Sequence, residues 1–267
     1  MHFDRIRRLS LAALLAAAVL PAVAQPASAP VASASAPART WAIVSLIGDD
    51  FSVVSRRPEV ATNLNPNERT VLKVPDAVFD RIATDAIEAE ILKANPGTPV
   101  LRALIRDPRL FALQEQLWTE SPESHDMRIA LHDLLAKSGA TDLLLVTKRR
   151  WPLSFPLATG RLSAPGVVSG LGFYIDTQSH IYNTGDKKGG EGFLGPYASI
   201  SITHLTIDGM RLVKTGNGFE STLALPAEKA DASVHPWDAL TPREKVDWLD
   251  RVIRAAVTTA MPGQTGE

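Results

Sequence analysis

Histidine is the side chain best suited to metal binding and proton transfer, and the chain after residue 40 has five of them. They are scattered, at positions 125, 132, 180, 204 and 235. His125 and His132 share a predicted helix, but two turns separate them by roughly 10 Å, too far for both to reach one zinc ion. The sequence also has no Cys and no His-Glu-x-x-His motif. It therefore predicts no metal site and no cofactor.

Two segments superficially match the motifs of serine nucleophiles. Lys214-Thr215-Gly216 is a motif of penicillin-recognising serine enzymes, but the Ser-x-x-Lys that supplies their nucleophile is absent. In the segment from Gly166 to Gly170 the serine is one position away from the apex of a Gly-x-Ser-x-Gly elbow. Both segments are interpreted as strand and turn sequence, and no catalytic residue is predicted.

One dense basic cluster follows a predicted buried strand, from Lys148 to Trp151. Guanidinium groups beside an aromatic ring can bind carboxylates, phosphates or sugars. A charged strand end that only keeps the chain soluble is the alternative interpretation. Arg149, Arg150 and Trp151 are accordingly candidate binding residues.

The segment 176–196 is rich in glycine and longer than a tight hairpin needs. It contains five glycines and lies beside all three tyrosines. It is not a phosphate-binding loop, because Gly-x-x-x-x-Gly-Lys-Ser/Thr is absent. Long loops in compact domains are usually functional or disordered, so we predict either a binding loop or a flexible hairpin tip. The candidate binding residues here are Tyr182, Lys187, Lys188 and Tyr197.

The first half of the chain combines short strands with helices. Residues 41–47 and 51–55, separated by Gly48-Asp49-Asp50, predict an N-terminal hairpin, and residues 56–70 predict a loop. Apolar residues at helical spacing follow Pro75 as far as Asn95, while Asp80 falls on the polar face. Helices should also start at Asp107-Pro108 and Ser121-Pro122, since each pair supplies a capping oxygen and a proline at the first helical position. For residues 98–105 strand and helix both remain open.

The second half changes to strand patterns and closes with a helix. Residues 143–146 predict a buried central strand, and further strands are predicted at 167–175, 197–207, 210–215 and 219–225. Asp208-Gly209 predicts a two-residue type I′ hairpin turn. Thr241-Pro242-Arg243-Glu244 is a capping box that opens the last helix. The order indicates an α+β fold, with a mixed, largely antiparallel sheet and helices packed against it.

The first forty residues have the pattern of an export signal and a tether. Three arginines precede the apolar run 9–20 and the triplet Ala22-Val23-Ala24, which predicts a signal peptide cleaved after Ala24. Residues 25–40 are rich in Pro, Ala and Ser, which is typical of a flexible tether. One domain is expected over 41–262, followed by a disordered tail at 263–267. Because there is no Cys to carry a lipid, we expect a soluble periplasmic or secreted protein.

At this coarse level the element order resembles exported domains of the TolB N-terminal and lipoprotein-activator kind. The whole chain resembles uncharacterised exported proteins of Gram-negative bacteria, a resemblance that implies no activity. The near-neutral charge gives no reason to expect nucleic acid as a partner, and no stable membrane insertion is expected after processing. We therefore predict a non-catalytic envelope protein that binds a protein partner or an envelope component. An exported hydrolase with a site assembled by folding is the alternative, and the oligomeric state stays open.

Overall fold

The computed structural model describes residues 39–57, 67–117, 121–158, 160–183, 188–224 and 235–261, all within one compact unit. The predicted signal peptide, most of the tether and the predicted tail lie outside these residues. Two short 3₁₀ turns, Gln114–Gln116 and Asp208–Met210, accompany the regular elements. The strands and α-helices are β1 (Trp41–Ser45), β2 (Asp50–Arg56), β3 (Asn67–Lys73), α1 (Val78–Ala94), β4 (Val100–Ala103), α2 (Pro108–Leu113), α3 (Pro122–Leu135), β5 (Asp142–Lys148), β6 (Arg150–Leu157), β7 (Gly160–Asn183), β8 (Lys188–Thr206), β9 (Arg211–Ser221) and α4 (Pro242–Ala260).

The strands form one mixed sheet in the order β3-β2-β7-β8-β5-β1-β4, with β6 added on β7 and β9 on β8. β1 runs parallel to both β4 and β5, and β2 runs parallel to β7. The other pairs in the described part of the chain are antiparallel. The predicted α+β class and the central position of the strand that starts near residue 142 are therefore confirmed.

Helices cover both faces of this sheet. α1 and α4 pack on one face, where β1 contributes Trp41 and Ile43 to the core. Met127 and Leu131 of α3 pack on the other face, where β1 contributes Ala42 and Val44. A strand buried on both faces needs a continuous apolar run rather than alternation, which explains the sequence of β1.

The closing helix is built as its sequence predicts. The Thr241 side chain accepts a hydrogen bond from the Glu244 backbone N–H, and the Glu244 carboxylate accepts one from the Thr241 backbone N–H. The apolar stripe of α4 then packs on β8, β9 and α1. Its closest approach is at Gly218 of β9, where an added Cβ would lie 2.0 Å from the carbonyl oxygen of Ala256. Only a residue without a side chain permits this contact.

The predicted N-terminal hairpin is wrong, because β1 and β2 do not pair with each other. β1 lies between β4 and β5, whereas β2 lies between β3 and β7. Gly48, with a φ of 74°, turns the chain from the first position towards the second. Two consecutive strands can leave a turn for different neighbours when each buries more apolar surface there than in a local hairpin.

Three other segments differ from, or complete, the sequence predictions. Residues 67–70, assigned to a loop, belong to the edge strand β3, and the undecided segment 98–105 contains the edge strand β4. The hairpin at Asp208-Gly209 is confirmed, but its turn is a 3₁₀ turn with Gly209 at a φ of 69° rather than a two-residue turn. The two strands predicted after it are one strand, β9.

In the residues that the structure describes, the glycine-rich segment 176–196 consists of paired strands rather than an irregular loop. The ladder between β7 and β8 continues to the pair Asn183 and Lys188, with a register shift between Asp176 and His180. Near its outer end Gly189 of β8 pairs with Tyr182 of β7. Antiparallel pairing satisfies the backbone groups that an irregular loop would leave to water.

Candidate binding groove

The carboxyl ends of the parallel strands β1, β4 and β5 meet at one edge of the sheet and border a cavity of about 660 Å³. Gly48, Asp49 and Asp50 follow β1, Arg106 follows β4, and Lys148 ends β5. Loops that follow parallel strands are common positions for ligand sites, because the strands hold them on a rigid base. The start of α1 and one side of α2 complete the walls.

A second cavity of about 370 Å³ adjoins the first. The two share Phe111, Ala112, Gln114 and Lys148 as walls and thus form one groove, which we call the carboxyl-edge groove. The larger cavity has apolar as well as charged walls. The smaller one is bordered mainly by polar and charged side chains, which are Arg69, Gln114, Glu115, Lys148, Arg150 and Ser169.

Asp80 lies at the wall of the larger cavity and organises the turn after β1. It is 3% exposed and accepts hydrogen bonds from the Ser45 hydroxyl, at 2.6 Å, and from the Gly48 backbone N–H, at 3.1 Å. Burial raises the pKa of Asp80 above its usual value, although these hydrogen bonds oppose the effect. The carboxyl group is therefore a structural acceptor that fixes the position of Gly48 beside the groove.

Lys148 stands between the two cavities in a well-defined position. Its ammonium group pairs with Asp50, and its backbone N–H donates to the Gln114 side-chain oxygen at 2.7 Å. Its aliphatic chain lies against Gly170, where an added Cβ would be 2.8 Å from both Cγ and Cδ of the lysine. Gly170 also has a φ of 67°, a conformation that favours glycine. The groove is thus preorganised around this lysine.

The predicted basic cluster spans the junction between β5 and β6, where β5 ends at Lys148 and β6 begins at Arg150. Lys148 and Arg150 both line the groove. Arg149 and Trp151 point the other way, with the guanidinium 3.9 Å from the ring centroid in a cation–π contact. Of the predicted cluster, Arg150 therefore joins the groove, whereas Arg149 and Trp151 form a separate, partly exposed pair.

The candidate residues of the glycine-rich segment were predicted as surface residues of one loop. Tyr182 and Lys188 belong to the outer rungs of the β7–β8 ladder, and Lys187 lies outside the described residues. The prediction that Tyr197 binds a ligand is wrong, because its side chain is fully buried among Val54, Phe155 and other core residues. Tyr197 lies on β8, which has a neighbouring strand on each side at this position.

The carboxyl-edge groove and the tip of the β7–β8 hairpin lie far apart along β7. The groove contacts this strand at Ser169, whereas the hairpin reaches Asn183. The intervening extended chain is on the order of 40 Å long. A ligand as small as the groove does not contact both surfaces.

Several residues of the groove were missed in the sequence. Asp80 was assigned to the polar face of its helix, but it is buried beside Phe79. Asp50, Arg69 and Arg106 carried no distinctive spacing, because they come from separate elements that meet only in the folded chain. The position of Asp80 directly after the apolar Phe79, in the first turn of α1, was the signal in the sequence that could have indicated its burial.

The histidine–carboxylate contact with the shortest distance in the described residues lies away from the groove. His204 Nε2 is 2.7 Å from Asp142 Oδ1, and the imidazole packs on Trp41 at 4.8 Å between ring centroids. Asp142 begins β5, so this pair is at the amino end of the strand whose carboxyl end borders the groove. Among the described residues, no group of three or more His, Asp or Glu side chains is arranged to hold a metal ion.

Solved structures that are similar to this chain have low identity to it. The lipoprotein GNA1162 from Neisseria meningitidis is 10% identical, with a TM-score of 0.27, over 69% of this chain and 84% of its own. The LpoB C-terminal domain from Salmonella enterica is 11% identical, with a TM-score of 0.24, over 70% and 86%. A neuraminyllactose-binding hemagglutinin homolog from Helicobacter pylori is 7% identical, with a TM-score of 0.33, over 86% of each chain. These likenesses are too weak to support an argument about function.

No protein-family model matches the chain and no curated protein matches its sequence. The prediction that no functional family is recognised is thereby confirmed. In the described part of the chain, every helix is too short or too polar to cross a membrane.

Proposed function

We propose that the protein is an exported, non-catalytic protein of the cell envelope that binds an envelope component in the carboxyl-edge groove. The basic residues, apolar run and Ala22-Val23-Ala24 triplet at the start of the chain support export, with cleavage after Ala24 and a tether over residues 25–40. Residues 41–262 then act as one periplasmic or secreted domain.

The observation that carries the proposal is the preorganised groove. Its charged groups come from separate elements, and Lys148 is fixed between its two cavities by Asp50, Gln114 and Gly170. Ligand sites generally combine a largely preformed concave surface with a few oriented polar groups. Here Phe111 and Ile105 supply apolar walls beside those groups.

The groove favours binding over the alternative of a hydrolase. A hydrolytic site needs a nucleophile and a base within hydrogen-bond reach, both open to substrate. In the described walls, the Ser169 hydroxyl donates a hydrogen bond to Glu115 at 3.2 Å, but no histidine lines either cavity to accept the serine proton. Behind the walls, Ser45 and Asp80 are 2% and 3% exposed and support the turn after β1. His204 lies at the other end of β5.

Separately, the outer β7–β8 hairpin is proposed as a contact surface for a protein partner.

The groove can be tested by filling it. Ala112 is an exposed residue that borders both cavities, so Ala112→Trp should occlude them. Ala130→Trp is a matched control, since it is an equally exposed alanine on α3 that does not line the groove. Purified protein beginning at Gln25 is mixed with isolated cell envelopes of the producing organism and sedimented. We expect wild type and Ala130→Trp to co-sediment and Ala112→Trp to remain in solution.

Two results would contradict the proposal. Wild type that stays in solution with every envelope fraction would reject envelope binding. Equal co-sedimentation of Ala112→Trp and wild type would place binding outside the groove. Deleting residues 183–188 tests the hairpin in the same assay and keeps the buried Phe193 in place. Loss of cross-linking to an envelope protein, with unchanged thermal stability, is expected for a partner surface. N-terminal sequencing of the exported protein should begin at Gln25.

A further inference from the structure

We infer that the smaller cavity of the carboxyl-edge groove is an oxyanion site, which holds a phosphate or carboxylate group of the ligand. This inference rests on the proposed function and specifies the chemistry of its ligand. The site consists of Arg69 from β3, Lys148 from β5 and Arg150 from β6, which all border the 370 Å³ cavity. Three separate strands thus bring cationic groups to one small polar space.

The charges that face this cavity leave an excess of positive charge. Lys148 is neutralised by Asp50, which lies on the side of the larger cavity. Glu115 is the carboxylate of the smaller cavity, and it accepts a hydrogen bond from the Ser169 hydroxyl at 3.2 Å. Two carboxylates therefore balance two of the three cations. The remaining charge favours an anion.

The two arginines are suited to oxygen acceptors. The Arg69 Nε donates to the Ser52 hydroxyl oxygen at 2.8 Å, which orients the guanidinium, and its terminal nitrogens are further donors. Arg150 is exposed and has no ion pair or side-chain hydrogen bond to any other residue that the structure describes. A guanidinium binds phosphate and carboxylate oxygens in pairs, with two parallel hydrogen bonds. The site therefore selects oxyanions rather than halide ions.

The adjoining cavity determines where the rest of the ligand lies. Beyond Lys148 the groove widens to about 660 Å³, with Ile105, Pro108 and Phe111 among its walls. A ligand with its anionic group between the arginines would place less polar atoms against these side chains. The groove thus fits a molecule with an anionic end and a partly apolar body.

Two neighbouring arginines provide the test and its control. Arg150→Gln removes a cation from the site, whereas Arg149→Gln removes the same charge from the neighbouring residue, which lies over Trp151 and does not line the cavity. Binding of sodium phosphate and of sodium acetate is measured by titration calorimetry, against sodium chloride at equal ionic strength. We expect Arg150→Gln to weaken binding by roughly tenfold, since a hydrogen bond to a charged group is lost. Arg149→Gln should stay within about twofold, because this partly exposed charge lies outside the cavity and is partly screened.

A third variant raises the affinity if the site is correctly placed. Glu115→Gln removes the carboxylate from the cavity but keeps an acceptor for the Ser169 hydroxyl, so phosphate should bind more tightly. The inference is overturned if neither phosphate nor acetate binds wild type more than chloride does. It is also overturned if Arg149→Gln and Arg150→Gln weaken binding equally, because the effect would then be one of overall charge.

Two further experiments identify the source of the anion and distinguish failure of the oxyanion site from failure of the proposed function. Capture by phosphatidylglycerol vesicles that is lost in Arg150→Gln identifies a lipid headgroup, whereas binding of free phosphate without vesicle capture identifies a soluble ligand. In the envelope assay, Arg150→Gln that co-sediments like wild type while Ala112→Trp does not would refute the oxyanion site and leave the groove's function standing. Failure of wild type to co-sediment rejects the proposed function instead.

Discussion

Replacing Asp176 tests how the outer hairpin is attached to the body of the sheet. This residue is 3% exposed at the base of the hairpin, where the register of the β7–β8 ladder shifts. Its carboxylate accepts hydrogen bonds from the backbone N–H groups of Gln178 and Ser179 at 2.7 and 2.8 Å, and from the Ser179 hydroxyl. Arg56 of β2 pairs with it at 3.0 Å. Asp176 thus joins the hairpin to the neighbouring strand.

The expected magnitude follows from the hydrogen bonds that the Asp176 carboxylate accepts. Asp176→Ala leaves two backbone N–H groups and the Ser179 hydroxyl without their acceptor and removes one ion-pair partner of Arg56, so it should lower the free energy of unfolding by about 3 kcal/mol. In a domain of this size that corresponds to a fall in Tm of roughly 6–12 °C. Asp176→Asn keeps one acceptor oxygen but replaces the oxygen that Arg56 contacts by an amide nitrogen, so its Tm should fall by about half as much.

The stabilisation by the Asp176 carboxylate should also depend on pH. Burial favours the protonated form of Asp176, but its hydrogen bonds and Arg56 outweigh burial and lower its pKa below the ordinary value of 3.8. A lowered folded-state pKa means that the stabilisation is present above pH 3.8 and is lost as the pH falls through the lowered value. The Tm difference between wild type and Asp176→Ala should therefore be constant near neutral pH and shrink in strong acid.

Calorimetry of wild type, Asp176→Ala and Asp176→Asn at pH 7 and at pH 3 measures both effects. A Tm of Asp176→Ala close to that of wild type at pH 7 would refute the role of the ion pair. A difference of undiminished size in strong acid would show that lost packing, rather than lost charge, is responsible.

Substitutions at three other residues test the groove and the helix that closes the fold. Asp80→Ala should lower the unfolding free energy by about 2 kcal/mol in urea denaturation, because two donors lose their acceptor. Asp80→Asn keeps an acceptor; since burial raises the pKa of Asp80, wild type should gain stability relative to this variant as the pH falls towards 3.8. Gly218→Ala forces α4 away from the Ala256 carbonyl oxygen and should lower the Tm, measured by circular dichroism, through overpacking of about 2 kcal/mol. Gly170→Ala should displace Lys148 and reduce envelope co-sedimentation; a variant that binds like wild type would contradict the preorganised lysine.

Local structure was largely predictable wherever it depends on interactions between residues that are close in sequence. The capping box at Thr241 and the proline after Ser121 begin their helices as expected, because the capping partners lie within one turn. The apolar run after Asp142 forms a central strand, since only burial on both faces accommodates it.

The candidate site was predictable only in part. The basic cluster drew attention to Arg150, but the same pattern included Arg149 and Trp151, which face away from the groove. The sequence does not show that one strand ends at Lys148 and the next begins at Arg150, nor which of these side chains meets a cavity. Tyr197 was misplaced because its burial depends on strands from distant parts of the chain.

The sequence by itself determined the periodicity of the helices and of the buried strands, the capped starts of α2, α3 and α4, and the α+β class, because these depend on residues within a few positions of one another. The tertiary structure decided that β1 leaves β2 for β4 and β5, that Asp80 is buried, and that Arg69 meets Arg150 across one cavity. Apolar periodicity predicts which face of an element is buried, but it does not predict which other element covers that face. The choice among neighbours comes from the summed packing of the whole domain, which no local segment encodes.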